Sequence, residues 1–446
     1  MKILSSVNEL RAMFSPSENT AYLSDAWNQP DLLQELLNED LNIVSDDIKM
    51  DFISPASGNL QIKGGYLSGE KHFVIKFISE FQQIAAEAEP IKRCMTLIGD
   101  AQTGVITSML LEGGGAEEHN DIDQPTLPEI DWRAIQNCLK VTGDENVWQL
   151  QKEGFKAFSA KEVTIPPVIY LPFKDYGDLH LKGAHKKHGE IYVFKIATGF
   201  PANINHGLQP SQGLMIAFDA KTAKPLLVLR DEGHLTDLRT AIAGRNAAEE
   251  MMPAEQLNGI GVLGTGVQAR LQMGLLKSLY PDQQQLTVWG HTKANTLKYA
   301  NEMMANGWQV KIADSPREVA DHANLIITTT PSEVALLDAD DINCANTVII
   351  AIGADMPGKV ELSPRLLKKA DTVLVDSISQ GKDHGNAAVA LKDKMIDGSD
   401  LQEFGDFLKN GYRDPTAKNR LRLFLSSGIG VQDLQIVQAV LEGSKG

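Results

Sequence analysis

The sequence of 446 residues predicts an α/β protein, in which a doubly wound parallel sheet follows two tandem copies of an α+β sheet domain. Two observations carry this prediction. From residue 257 onward, short apolar runs alternate with helical stretches, and this rhythm is typical of a parallel sheet covered by helices on both faces. Upstream, one hairpin pattern is written twice, at residues 59–77 and 178–196.

The repeated hairpin aligns without a gap at an offset of 119 residues (178 − 59). Each copy carries two lysines thirteen positions apart (76 − 63 and 195 − 182): Lys63 and Lys76, then Lys182 and Lys195. A second block keeps the same offset, since residues 97–111 match residues 216–230. The alternative is a coincidence between two antiparallel sheets of similar rhythm. We favour duplication because lysines and glycines match as well as apolar positions.

Residues 112–129 lie between the two copies and are rich in glycine, proline and acidic residues. This composition predicts a linker. Helical stretches open the second copy at residues 131–158 and follow its strands at residues 233–252. The predicted organisation is a first sheet domain at 1–111, a linker at 112–129, a second sheet domain at 130–250 completed by 425–446, and a nucleotide-binding domain at 251–424.

Composition and charge exclude several function classes. Lys and Arg number 42 against 58 Asp and Glu, and the net charge of −16 argues against nucleic-acid or anionic-membrane partners, which need a basic surface. No apolar window is long enough for a membrane span, and the first residues make a poor signal peptide. The three cysteines form no CxxC pair, so we expect a cytoplasmic protein.

No metal site is expected from the histidines of the second hairpin. Its turn, residues 185–189, contains His185 and His188, but nothing nearby supplies further ligands at helical spacing. A solvated hairpin tip is therefore the favoured interpretation of this turn.

A glycine-rich turn follows an apolar strand and opens a helix, which is the required context of the dinucleotide-binding fingerprint of Rossmann folds. Gly264 permits the tight turn, Gly266 lets the backbone approach a pyrophosphate, and the small Ala269 allows close packing of the helix on the strand. A plain glycine turn is disfavoured by the further apolar strands behind it. The residues expected to contact the cofactor here are Gly264, Thr265, Gly266, Val267 and Gln268.

The second strand of this fold bears on which nicotinamide cofactor is expected. An NAD site usually carries Asp or Glu about 20 residues after the glycine turn, where it binds the ribose 2′-hydroxyl. Here the strand ends without an acid, and His291, Thr292 and Lys293 could receive a 2′-phosphate instead. We therefore expect NADP, with NAD as the alternative if these three residues form only a polar turn.

Lys195 stands in an apolar strand, between Phe194 and Ile196. Lysine is rarely buried without a partner, because desolvation of its charge is costly. Two interpretations stay open: an acid/base or carboxylate anchor, or an edge position from which the side chain reaches water. Lys182 and His180 share one face of the preceding strand, and such a cluster of cations would suit an amino-acid carboxylate.

Six segments occur in the order found in one known family: FKIATGFPAN, LTDLRT, GVLGTGVQAR, IITTTPS, AIGADMPGKVEL and SSGIGVQD. Through them the chain, from about residue 130 to the end, resembles the ornithine cyclodeaminase/mu-crystallin family. That family also includes NAD(P)-dependent alanine dehydrogenases and imine reductases. The resemblance covers over two-thirds of the chain and implies a nicotinamide-dependent enzyme whose sheet domain binds substrate and mediates dimerisation. It does not fix the substrate.

The resemblance also implies a role for each matching residue. Lys195 matches a lysine that contacts the substrate carboxylate or exchanges a proton. Arg239 matches an arginine that anchors substrate carboxylate and cofactor phosphate, and Asp355 matches an acid beside the reacting carbon and amine. Without the resemblance, Asp355 would be interpreted as a turn aspartate. The residues implied to line the cofactor are Thr329, Thr330, Ile352, Gly353, Ser427 and Gly428, of which the last two are implied to face the nicotinamide.

Two positions depart from the family pattern. The cyclodeaminases place an arginine after a Pro-Pro step, where this chain has Val168, so one carboxylate anchor is missing and ornithine cyclisation is in doubt. Lys182 or His180 could substitute for that anchor. Asn386 stands where glutamate is common.

The expected function is an NAD(P)H-dependent oxidoreductase that acts on the Cα–N bond of a small amino acid or imino acid. The alternatives are a cyclodeaminase, which converts a diamino acid into a cyclic product and ammonia, and a non-catalytic binder of NADP or a small ligand. The first copy of the sheet lacks an LTDLRT segment and is not expected to form a second active site. It could take a partner's place in one chain, giving a monomer with an internal pseudo-dimer. A homo-oligomer is the alternative.

Overall fold

The computed structural model describes residues 2–4, 48–52, 58–66, 72–81, 91–112, 127–343, 346–412 and 421–445. The chain divides into two compact units. The first comprises Met1–Val141, Val163–His234 and Val440–Gly446, and the second comprises Thr142–Glu162 and Leu235–Ala439. Most of the predicted linker lies outside the described residues.

The first sheet belongs to the first unit and has six strands in the order β1-β6-β5-β4-β3-β2. Buried Phe73, Ile75 and Phe77 alternate with half-buried Val74 and Lys76 along β4, because successive side chains of a strand point to opposite faces. Among the strands that the structure describes in this sheet, β1 and β6 pair in parallel and the other neighbours are antiparallel. The strands are β1 (Lys2–Leu4), β2 (Ile48–Phe52), β3 (Gly58–Tyr66), β4 (His72–Phe81), β5 (Ile91–Asp100) and β6 (Ile106–Glu112).

The second sheet also belongs to the first unit and follows the order β7-β13-β12-β11-β10-β8, with β9 also paired to β10. Its strands are β7 (Glu129–Asp131), β8 (Val163–Thr164), β9 (Ile169–Phe173), β10 (Gly177–Lys186), β11 (Ile191–Gly199), β12 (Ser211–Asp219) and β13 (Pro225–Arg230). Two helices, α1 (Trp132–Thr142) and α2 (Asp144–Ser159), fill most of the helical stretch predicted at 131–158.

The two sheets share their register at the predicted offset. Lys63 lies opposite Lys76, and Lys182 lies opposite Lys195. Both sheets also shift register one strand later, between Ile98 and Gly99 in the first and between Ala217 and Phe218 in the second. After each shift an aspartate, Asp100 or Asp219, accepts the same three hydrogen bonds from its turn. An origin by duplication stays a prediction.

The two sheets pack face to face around one aromatic core. The ring centroids of Phe77 and Phe194 lie 5.4 Å apart, and those of Phe73 and Phe173 lie 5.2 Å apart. Apolar residues of both sheets form a single buried cluster. Since each buried aromatic side chain contributes about 1.5–3 kcal/mol relative to exposure, this core is a large stabilising term for the first unit. The lysine pairs therefore lie on the outer face of each sheet.

The second unit contains a parallel eight-stranded sheet with the order β16-β15-β14-β17-β18-β21-β19-β20. Strands β14 and β17 pair in parallel, so the loops that follow them leave from the same carboxyl edge of the sheet. The strand order reverses direction between these two strands, which is where ligands bind in such folds. The strands are β14 (Ile260–Leu263), β15 (Gln285–Trp289), β16 (Gln309–Ile312), β17 (Leu325–Thr328), β18 (Thr347–Ala351), β19 (Thr372–Val375), β20 (Leu401–Glu403) and β21 (Leu421–Leu425).

Helices precede, connect and follow these strands, and those between the strands match the alternating pattern of the sequence. They are α3 (His234–Met251), α4 (Val267–Leu279), α5 (Lys293–Ala305), α6 (Pro316–His322), α7 (Pro364–Lys369), α8 (Ile378–Asp383), α9 (Gly385–Lys392), α10 (Phe404–Asn410) and α11 (Gly430–Gly443). In the described part of the chain, none of the helices has both the length and the apolar character that a membrane crossing requires.

Helix α2 and residues 235–251 of α3 belong to the second unit, where they pack against each other. The domain limits proposed from the sequence, which include both helices in the second sheet domain, stay a prediction. The Arg245 guanidinium lies 3.7 Å above the Trp148 ring centroid, and Lys152 Nζ lies 2.6 Å from a carboxylate oxygen of both Glu249 and Glu250. These contacts hold α2 against α3.

Candidate active site

The turn after β14 has the geometry that a pyrophosphate needs. Gly264 adopts a φ of +115°, and a Cβ there would lie 2.4 Å from Thr329 Oγ1, so only glycine fits. A Cβ at Gly266 would meet nothing within 4 Å, which leaves open space over the backbone. Gly266 caps α4 without a side-chain hydrogen bond, and Val267 is 51% exposed. The first N–H groups of α4 are thus presented to an anion.

Side chains of helix α4 stabilise this turn through hydrogen bonds. Arg270 Nη1 donates to the carbonyl oxygens of Thr265 and Gly266, and its guanidinium forms an ion pair of 2.6 Å with Glu302. The Gln268 amide nitrogen donates to Asp237, at 3.0 Å to the carbonyl oxygen. The amide nitrogen of the Gln268 side chain is thereby engaged with α3, while the backbone of Gln268 belongs to the first turn of α4.

The turn after β15 is polar and exposed. Thr292 is the N-cap of α5, Lys293 is its first residue, and both are exposed together with His291. No acidic residue occurs between Trp289 and Lys293. In Rossmann folds these positions contact the 2′ substituent of the adenosine ribose, and here they are a histidine, a threonine and a lysine.

A buried carboxylate that the sequence interpretation missed joins the loops after β17 and β18. Glu361 is fully buried, and its Oε1 accepts hydrogen bonds from the N–H and hydroxyl of Thr330, at 2.6 and 2.9 Å. Its Oε2 accepts from Thr328 Oγ1 at 2.7 Å and from the N–H of Gly353 at 2.9 Å. Burial raises the pKa of the Glu361 carboxyl. Thr330 and Gly353, two predicted cofactor residues, are thereby held together.

Asn386, one of the two departures from the family pattern, holds the backbone of Glu361. Its Oδ1 accepts from the N–H groups of Glu361 and Leu362, at 2.8 and 3.0 Å. Two other predicted cofactor residues differ in their environment: Thr329 Oγ1 donates to the carbonyl oxygen of Leu263, whereas Ile352 is buried at the end of β18.

A second buried carboxylate, also missed, holds the loop after β21. Asp376 lies at the end of β19 and is 1% exposed. Its Oδ2 accepts from the N–H of Ser427 at 2.7 Å, the N–H of Gly428 at 2.6 Å and Ser426 Oγ at 3.1 Å. Its Oδ1 accepts from Ser427 Oγ at 2.9 Å. Ser427 and Gly428, both predicted to line the cofactor, are fixed by this carboxylate.

Arg239 lies against the same loop. Its Nε is 3.1 Å from Asp433 Oδ1, and its Nη1 donates to Gln432 Oε1 at 3.1 Å. A Cβ at Gly428, which has a φ of +80°, would lie 2.7 Å from Arg239 Nη1, so the guanidinium packs directly on this glycine. The predicted anchoring arginine is thus buried and oriented by the start of α11.

Asp355 has a different environment. It follows β18, its side chain is 47% exposed, and Lys359 Nζ lies 2.7 Å from its Oδ1. An exposed carboxylate at the carboxyl edge of a parallel sheet can meet a ligand in the crevice where α/β folds bind them.

In the first unit, the second sheet carries Lys195 on its outer face. Strand β11 lies between β10 and β12, so the alternative of an edge position is wrong, and Lys195 is 4% exposed. Half-buried Lys182 lies opposite it. His180, on the same face, lies 3.7 Å from Asp178 Oδ1, and its ring centroid is 4.9 Å from that of Tyr170, a contact the sequence did not reveal.

His185 lies at the start of the hairpin turn and is buried, not solvated as the sequence suggested. Its Nδ1 is 3.2 Å from the carbonyl oxygen of Ile191, and burial lowers the pKa of its imidazole. Among the described residues, no group of histidine, cysteine and carboxylate side chains is arranged to hold a metal ion.

Comparison with known proteins agrees with these features. The model of the ornithine cyclodeaminase/mu-crystallin family matches residues 133–446. The chain belongs to this family. The match begins inside α1, so the first sheet lies before it.

Members of the family that resemble the chain differ in activity. Alanine dehydrogenase from Archaeoglobus fulgidus is 30% identical over 66% of this chain and 88% of its own length. Iminosuccinate reductase from Paracoccus denitrificans is 26% identical over 59% of this chain and 80% of its own length. A solved archaeal alanine dehydrogenase dimer with bound NAD superposes with a TM-score of 0.63 at 25% identity, covering 71% of this chain and 96% of that one.

Proposed function

We propose that the protein is an NAD(P)H-dependent oxidoreductase that makes or breaks the Cα–N bond of a small amino acid or imino acid. The observation that carries the proposal is a buried lysine, Lys195, on an interior strand of a chain that also has an open glycine turn for a dinucleotide. A buried ammonium suits a substrate carboxylate or a proton transfer. Enzymes of related activity among the family members support this reading.

The cofactor is proposed to be NADP rather than NAD. The turn after β15 presents His291, Thr292 and Lys293 and no acidic residue, which favours a 2′-phosphate over a 2′-hydroxyl. The solved alanine dehydrogenase that resembles this chain holds NAD, so NAD is the alternative outcome of a cofactor comparison. In either case the N–H groups at the start of α4 would hold the pyrophosphate, since Gly266 leaves the approach open.

The bound cofactor would supply or accept a hydride at the substrate Cα. The chain's own residues would bind the substrate and transfer the proton. Lys195, with Lys182 or His180, would bind the substrate carboxylate by charge, and Lys195 or Asp355 would move the proton at the amine. Arg239 uses two of its donors on Asp433 and Gln432, and its remaining N–H groups would face an anion.

A direct screen tests this function. The purified full chain is mixed with pyruvate, oxaloacetate or a cyclic imine, with an amine where one is needed, and with NADPH or NADH in parallel. Oxidation of the cofactor is expected with at least one substrate, faster with NADPH. Asp355→Asn is expected to lower kcat by about 10²–10⁴-fold, as for removal of a general acid or base.

Two other outcomes would replace the proposal. Release of ammonia from a diamino acid, without net change in reduced cofactor, would indicate a cyclodeaminase. The valine at position 168 counts against that outcome. Tight ligand binding without turnover, unchanged in Asp355→Asn, would indicate a non-catalytic binder.

For the first sheet we propose a structural role as a second copy of the substrate-domain sheet, with the domain limits given above. Its shared register supports a common origin, and its aromatic face closes the core of the second sheet inside one chain. The chain is therefore expected to be a monomer by light scattering. A dimer joined through the second sheet would contradict this role.

A further inference from the structure

The buried carboxylate of Asp376 does more than hold a loop, because it decides which way a hydroxyl group points. Ser427 Oγ lies 2.9 Å from Asp376 Oδ1 and 3.0 Å from Gln380 Oε1. Both neighbours are acceptors, and an ionised carboxylate cannot donate. The single proton of the Ser427 hydroxyl is therefore committed to the protein, and the oxygen can offer a ligand only its lone pairs.

The backbone contributes to the same arrangement. The N–H groups of Ser427 and Gly428 both donate to Asp376 Oδ2, at 2.7 and 2.6 Å, so they are not available to a ligand. The half-buried Ser427 lines a small cavity at the carboxyl edge of the sheet, together with Asp376 and His384. At this position the loop after β21 is an acceptor and not a donor.

The position of the loop indicates which part of a dinucleotide would meet it. The glycine turn after β14 suits the pyrophosphate, and the turn after β15 suits the adenosine ribose. A dinucleotide lies across the crevice of a doubly wound sheet, so its other half extends over the strands beyond β14. Strand β21 lies on that side, next to β18.

We propose that Asp376 is a positioning residue that fixes Ser427 as a hydrogen-bond acceptor for the carboxamide N–H of a nicotinamide ring. This inference rests on the cofactor class of the proposed function. The geometry predicts a preference for cofactors whose ring substituent donates a hydrogen bond over those in which it cannot.

The test compares binding of the reduced cofactor with binding of its acetylpyridine analogue, in which a methyl group replaces the amide nitrogen. Dissociation constants are measured by fluorescence titration of the full chain. The unaltered protein is expected to bind the carboxamide form about 3- to 10-fold more tightly, which corresponds to one net hydrogen bond. The double variant Asp376→Asn/Gln380→Leu removes both acceptors of the Ser427 proton, so the hydroxyl can turn to the ligand and donate, and this ratio is expected to fall toward one.

Two further variants keep the test decisive. Ser427→Ala retains the N–H bonds to Asp376 and is expected to lose the same preference, which decides the matter even if the double variant unfolds. Asp371→Asn is the matched control, because Asp371 accepts from the N–H of Leu421 at the opposite end of the same strand pair, at 2.9 Å. Its preference should stay that of the unaltered protein.

The contrary outcomes differ from one another. An unchanged ratio in Ser427→Ala would overturn the proposal. An equal loss of affinity for both cofactors would assign the hydroxyl to a ribose and overturn it as well. Failure of the unaltered protein to bind either cofactor would overturn both this inference and the proposed cofactor. Binding with the expected ratio but no turnover would contradict only the proposed reaction.

Discussion

The two sheets of the first unit have the same register but carry different side chains beside their lysine pairs. Lys76 and Lys195 occupy the same place in β4 and β11, yet Lys76 is half-buried and Lys195 is 4% exposed. The directly opposed residues next to each pair differ as follows: Gln61, Ile78 and Cys94 in the first sheet, and His180, Ala197 and Gly213 in the second.

The next position continues the contrast. In the first sheet Glu80 and Lys92 lie opposite each other as an ion pair of 3.9 Å, whereas in the second sheet the same place holds Gly199 and Ser211. Apart from His180, the compared positions thus carry small side chains in the second sheet, where the first sheet carries large or charged ones. A pair of opposed lysines is therefore common to both sheets and does not by itself mark a site. The candidate site around Lys195 differs from the first sheet in having small neighbouring side chains and a neighbouring histidine, His180.

The largest expected effect separates the two lysines. Lys195→Met should lower kcat/KM by about 10²–10⁴-fold, because it removes a group proposed to bind carboxylate or move a proton. Lys76→Met, the same change in the first sheet, should leave kcat/KM within about twofold. Steady-state kinetics on both variants, with melting temperatures as the folding control, check this. Equal losses would mean that the first sheet also takes part in catalysis.

The next effect concerns the shared core. Phe77→Ala and Phe194→Ala, one in each sheet, should each destabilise the first unit by about 3–5 kcal/mol, because both rings lie in one buried cluster. Urea unfolding followed by near-ultraviolet circular dichroism measures the loss, and Val74→Ala on the outer face is the control with a smaller effect. If Phe77→Ala unfolded the first sheet and left the second unchanged, the sheets would not share a core.

A smaller effect concerns the space beside Lys195. Ala197→Ile introduces the residue that the first sheet has at the corresponding position, Ile78, and should raise KM for the substrate by about tenfold through steric overlap. The dissociation constant of the cofactor should not change. The reciprocal Ile78→Ala should leave both quantities unaltered. An Ala197→Ile variant with normal KM would show that this part of the face is not used.

The smallest effect is a difference in pH dependence. Burial lowers the pKa of His185, and the corresponding position of the first sheet is Tyr66. The unfolded chain therefore binds a proton on this imidazole more readily than the folded chain does. The contribution of neutral His185 to the free energy of unfolding is thus fully present above the ordinary pKa of about 6.5 and decreases as the pH falls below it. His185→Gln should flatten this part of the stability profile, as measured by urea midpoints between pH 5 and 8. An unchanged profile would contradict the assignment.

The sequence predicted the parts of the fold that depend on local pattern. Continuous apolar runs became β14, β15, β17, β18 and β19. The position of Lys182 opposite Lys195 was not predicted, because it depends on the register between β10 and β11. Whether β11 is an edge or an interior strand could not be predicted from its own residues, because that depends on whether the next strand, β12, pairs with it.

The buried carboxylates show why part of the site could not be predicted. Glu361 binds Thr328, which is 33 residues away, and Asp376 binds Ser427, which is 51 residues away. No local spacing relates such partners, since the sheet order alone brings them together. A buried acid at the carboxyl edge of a parallel strand is a signal only once that order is known.

The position of β21 has a consequence for biosynthesis. This strand enters the sheet between β18 and β19, although both of its neighbours precede it in the chain. On the ribosome, strands β14 to β18 can pair as soon as they emerge, whereas β19 has no partner on its inner side until Leu425 has been synthesised. The loop that Asp376 holds therefore forms last. A nascent chain that ends before β21 therefore lacks the strand that joins β18 to β19, and the carboxyl edge of its sheet is incomplete.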